Sequence, residues 1–211
     1  MWSKAIVFLV ISGLVVITSC NRAGPEDSPN AEKGPALKDA DAYAARAYEW
    51  LCKGKYDKAL GDYDIALKLK PADAEFLNSR GFTWHMKSIR DKDRPACEDR
   101  ALSDYAEAIS IDPEYDSAIN NRAWLWATSK VDRCRNGKQA VEEAIKACEL
   151  SGWKNAGYID TLSVAYAEVG DFEQAIRWQR KALEDPAYQK EEGKNAREKL
   201  ALFAKQEPFR E

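Results

Sequence analysis

Residues 77–84 read LNSRGFTW and residues 101–108 read ALSDYAEA. In the first string Leu77, Arg80, Gly81 and Trp84 stand at i, i+3, i+4 and i+7, one face of an α-helix. In the second, Ala101, Tyr105 and Ala108 share a face, and Pro113 follows where a helix must have ended. Gly81 and Ala101 are small, which lets two helices cross closely at that point. The two strings therefore read as one helical hairpin.

The same hairpin is written four times. Upstream, Tyr43, Arg46, Ala47 and Trp50 precede Ala59, Tyr63, Ala66 and Pro71. Downstream, Ile119, Arg122, Ala123 and Trp126 precede Ala140, Ala144, Ala147 and Gly152. Last come Ile159, Leu162, Ser163 and Tyr166, then Ala175, Gln179, Ala182 and Pro186. Trp50, Trp84, Trp126 and Tyr166 are spaced by 34, 42 and 40 residues. The excess over 34 falls between the paired helices, around Arg90–Cys97 and Lys130–Arg135. Loops at hairpin tips lengthen at small entropic cost and leave a stack intact. No alternating strand pattern occurs after Asp39.

A 34-residue helix pair with small crossing residues and an aromatic wedge resembles the tetratricopeptide repeat. The resemblance implies an all-α solenoid of four repeats, at about 40–73, 74–115, 116–155 and 156–187. An amphipathic segment at roughly 188–205, with Leu200 and Phe203 on one side, is expected to cap the exposed end of repeat four, and 188–211 forms the capping helix and tail.

The N-terminus reads as a processing signal. Met1–Lys4 is a short basic start, Ala5–Val16 is apolar but too short to span a bilayer, and Ile17-Thr18-Ser19-Cys20 follows. That tetrad resembles the bacterial lipobox, which implies a signal peptide at 1–19 and a lipidated Cys20. Residues 20–38, with Pro25, Pro29 and Pro35, form a linker that reaches about 20 Å as a flexible chain. The expected location is the bacterial cell envelope, lipid-anchored, with the repeats in the periplasm or on the outer surface.

The composition narrows function by exclusion. A net charge of -3, with 32% charged residues in near balance, gives no footprint for nucleic acid. His85 is the only histidine, so a His-based triad or multi-His metal site cannot form within one chain. Phosphate-loop, nucleophile-elbow and zinc-protease motifs are missing. Asp91, Asp93, Glu98 and Asp99, interleaved with Lys92, Arg94 and Arg100, read as a solvated loop. No catalytic residue, metal, cofactor or small-molecule substrate is expected, and the chain reads as a non-enzyme. Apart from Cys20 there are four cysteines, an even number for an oxidising compartment. Cys97 and Cys134, both at inserted turns, are the favoured disulfide; Cys52 with Cys97 is the next, and Cys148 reads as a buried thiol.

In tetratricopeptide proteins the first helices line a groove for a protein or peptide. Stepping one residue, about 100°, from the packing face reaches the groove stripe. This nominates Asn78, Phe82 and His85 in repeat two and Asn120, Asn121 and Trp124 in repeat three. The alternative is that these side chains pack against the next hairpin. Lys and Asn are absent from the positions of repeats one and four where a carboxylate clamp needs them. The expected role is an interaction adaptor or assembly scaffold. An accessory subunit of a periplasmic enzyme and a spacer without a specific ligand are the competing readings.

Overall fold

Most of the helices start where the sequence supplies a side-chain cap. In the computed structural model, which describes residues 39–211, Asp39 accepts from the Ala42 amide at 2.8 Å and opens α1 (Ala40–Cys52). Asp73 accepts from Phe76 N and opens α3 (Ala74–Ser88). Asn136 opens α6 (Gly137–Leu150), Asn155 α7 (Ala156–Glu168) and Asp171 α8 (Phe172–Ala182) in the same way. A side-chain oxygen at the N-cap satisfies an amide that the helix itself leaves unpaired. The remaining helices are α2 (Tyr56–Leu69), α4 (Arg94–Ile111), α5 (Asp116–Thr128) and α9 (Pro186–Ala204). The expected signal peptide, the expected lipidation at Cys20 and the linker fall outside the described residues.

α1 packs on α2, α3 on α4, α5 on α6 and α7 on α8, giving four hairpins, while α1, α3, α5, α7 and α9 touch in succession as an inner layer. The small residues carry the crossings: Ala59, Ala101, Ala140 and Ala175 are all 0% exposed, as are Ala66, Ala108, Ala147 and Ala182. At Gly81 the approach is close enough that a Cβ there would stand 2.9 Å from the Tyr105 ring. The wedge aromatics differ from expectation. Trp50, Trp84, Trp126 and Tyr166 are only half-buried. Cations cover the Trp rings, with Lys58 4.7 Å from the Trp50 centroid, Arg100 4.5 Å from Trp84 and Arg122 4.7 Å from Trp126.

A polar latch joins the helices of the first three hairpins. Arg46 grips Asp62, Arg80 grips Asp104 and Arg122 grips Glu143, each through two guanidinium nitrogens. Bidentate pairing fixes the rotation of one helix on the other. Repeat four holds Leu162 and Trp178 at the equivalent places, and Trp178 stacks on Trp153 at 5.1 Å.

Two boundaries shift. Part of the repeat-two excess is helix, not loop: α4 begins at Arg94, with Pro95 in its first turn. The last helix starts at Pro186, capped by Asp185, and its buried stripe is Tyr188, Glu192, Ala196, Lys199 and Phe203. Lys199 thus takes the buried place that Leu200 was expected to fill.

Candidate functional site

The six nominated residues are all buried, and they divide into three groups. Asn121 donates from Nδ2 to Asn78 Oδ1 at 3.0 Å, tying α5 to α3, and Phe82 packs on Leu51 and Ala59 of the first hairpin. These three serve the packing between repeats. Asn120 is buried as well, and its Oδ1 has no hydrogen-bond partner among the described residues. His85 and Trp124 do something else: they meet residues 208–211.

After α9 the backbone reverses. Gln206 adopts φ +60°, its amide donates to Phe203 O, and Glu207 N donates to Leu202 O at 3.0 Å. This six-to-one closure is a Schellman turn with glutamine where glycine is usual. Residues 208–211 then run back across the inner layer. The Phe209 ring lies 6.0 Å from the Trp124 ring and has the Lys199 ammonium 5.6 Å above its centroid. Arg210 donates to the Ala127 carbonyl at 3.3 Å and pairs with Glu168. Glu211 is held on every side: its carboxylate accepts from Trp124 Nε1 at 2.7 Å and lies 3.5 Å from His85 Nε2. Its amide donates to Thr128 O at 3.0 Å, and Arg94 donates to its main-chain oxygen at 2.7 Å.

The insertions of repeats two and three build the walls of this seat. Arg94 and Glu98 come from the added turn of α4, and Glu98 accepts from the Ser129 hydroxyl of the α5–α6 connection. Arg135, from the same connection, lies 3.3 Å from Glu168, which in turn holds Arg210. The floor is an ion pair with little access to water. Lys199 Nζ sits 2.7 and 2.5 Å from the two oxygens of Asp160, their side chains 1% and 4% exposed. Asp160 also accepts from Gln179 Nε2 at 2.7 Å, and the Lys199 ammonium lies 5.0 Å from the Trp124 ring. Buried charge is tolerated because each oxygen has a donor. Burial, then the charges of Asp104 and Glu211, push the neighbouring Tyr105 phenol well above its ordinary range.

The expected Cys97–Cys134 disulfide is not formed. Both are buried free thiols, and Cys134 Sγ donates to Asp99 instead, at 3.5 Å. Burial and that acceptor push the Cys134 thiol up to about 12. Cys148 is a buried free thiol, as expected, also raised by burial to about 12. Among the described residues no three His, Cys, Asp or Glu side chains converge on a metal-sized site.

Of the residues that meet 208–211, periodicity nominated His85 and Trp124 but not Arg94, Glu168 or Lys199. The usable signals were departures from pattern: an Arg-Pro helix start inside an insertion, and a phenylalanine in an otherwise polar tail.

No protein-family model and no curated protein matches the sequence. Solved structures match the fold. One is TTC0263, a thermophilic tetratricopeptide protein of Thermus thermophilus, at a TM-score of 0.63 and 18% identity over 79% of this chain and 82% of that one. A second is pilF of Pseudomonas aeruginosa, at a TM-score of 0.57 and 18% identity over 79% of this chain and 76% of that one. The chain has the tetratricopeptide-repeat solenoid fold.

Proposed function

We propose that this chain is a protein-interaction adaptor, or assembly scaffold, of the bacterial envelope. Its inner layer takes a short peptide segment, and a lipid on Cys20 holds it at a membrane. One observation carries the peptide reading: four residues of the chain itself lie on α3, α5 and α7, held by main-chain, aromatic and ionic contacts. A surface that orders an extended segment of its own chain has the donors, acceptors and ring faces that an extended partner needs.

Affinity capture from detergent-solubilised envelope tests the adaptor role, comparing the wild type with Asn120→Ala/Trp124→Ala. The expected result is a partner that the folded double variant loses. Retention of every partner by that variant would refute the reading. For the anchor, Cys20→Ser is expected to move the protein from the membrane fraction to the soluble one and to abolish incorporation of a palmitate analogue. Two acyl chains hold a protein stably on a bilayer, and the variant has no thiol to carry them.

A further inference from the structure

Residues 205–207 are exposed, and Phe209 and Arg210 are only half-buried. The tail is therefore held by three side chains and a few main-chain bonds, not by burial in a core. It leaves α9 through a left-handed glutamine, a conformation that the Cβ of an L-residue disfavours. Each of the three side chains has a partner of matching chemistry. The Phe209 ring meets an indole and an ammonium. The Arg210 guanidinium meets Glu168, and the Glu211 carboxylate meets an indole N–H and an imidazole. None of these contacts uses a position of the carboxylate clamp.

We infer that this seat recognises a peptide segment of the form aromatic–arginine–glutamate, and that residues 208–211 are its built-in competitor, which a partner segment of the same chemistry displaces. The inference rests on the adaptor reading and gives the partner a chemistry. A lysine in place of the glutamate would remove the carboxylate that Trp124 Nε1 donates to and set a second donor against it. That is a selective seat, because an unpaired buried donor is costly. A tethered segment competes at an effective concentration of about a millimolar, so the wild type masks the seat against any micromolar partner.

The experiment uses the full chain with Phe209→Ala/Glu211→Ala, which loosens the tail, and a fluorescein-labelled peptide Gln-Glu-Pro-Phe-Arg-Glu. Amidation of the peptide leaves the glutamate side chain as the acid at its end. Fluorescence anisotropy is expected to show binding to the loosened variant and at least about tenfold weaker binding to the wild type. The peptide ending in lysine is expected to bind at least about tenfold more weakly than the one ending in glutamate, and Trp124→Phe in the loosened variant is expected to weaken binding by a similar factor. Circular dichroism checks that every variant is folded. Three results would each overturn the inference: a folded loosened variant that ignores the peptide, equal binding of the glutamate and lysine peptides, or a wild type that binds as tightly as the loosened variant. A partner still captured through Asn120 and Trp124 would, in those cases, leave the adaptor reading standing without this motif.

Discussion

Inside repeats one to three the same contact recurs, an arginine of the first helix on a carboxylate of the second, 16, 24 and 21 residues apart in the chain. Across the inner layer nothing recurs. Trp124 reaches Glu211 over 87 residues and Arg94 reaches it over 117. The hairpin seams are local, repeated and half-open to water, whereas the tail seat is distant, single and floored by an enclosed ion pair. The seams therefore hold the solenoid together, and the seat occupies the inner layer, the surface we propose takes a partner.

The sharpest break between the two regions is Lys199→Met. It leaves the Asp160 carboxylate in a site 4% exposed without its counter-ion, with Gln179 and the Tyr188 phenol as neutral donors. Stranding one partner of a buried pair costs about 3–5 kcal/mol, which lowers Tm by roughly 6–20 °C in a domain of this size. The same change removes the cation above Phe209, so the tail should loosen as well. Adding Asp160→Asn should recover much of the loss, and a thermal melt that shows less than about 1 kcal/mol for Lys199→Met alone would contradict the enclosed pair.

Asp104→Ala probes a seam instead. Arg80 loses a bidentate partner but keeps Asp64 at 2.9 Å, on a guanidinium 23% exposed. Loss of a charge-assisted bond of this kind costs about 2 kcal/mol. The amide of Glu211 should stay as protected from hydrogen exchange as in the wild type. A comparable loss of tail protection in both variants would erase the distinction between seam and seat.

The contrast also explains what could be read from sequence. Gly81 opposite Tyr105, and the eight buried alanines, follow from a helix period and a need for close crossing, both visible in strings of eight residues. His85 and Trp124 were reachable because the inner stripe is one residue from the packing face. Asn78 and Asn121 share that stripe yet bond to each other. An amide serves a neighbour helix as readily as a ligand, and periodicity does not choose between them. Arg94 and Lys199 were invisible for a different reason. Arg94 lies in an insertion that reads as a solvated loop, and Lys199 lies beside the leucine that hydropathy prefers. Its burial depends on Asp160, which stands 39 residues earlier.

Gln206→Gly should have the smallest effect and isolates the turn from the seat. Glycine removes the left-handed strain at φ +60° but adds freedom to the unfolded chain, for a net gain of roughly 0.5 kcal/mol. None of the contacts of Phe209, Arg210 or Glu211 is altered. If the return turn helps to aim the tail, Glu211 amide exchange should slow by about twofold, the same increment expressed as an equilibrium. Exchange that is unchanged while Tm rises would mean that the turn stabilises α9 alone. The tail would then be held by its own three side chains and main-chain bonds alone, which is the condition under which a partner segment competes with it on equal chemical terms.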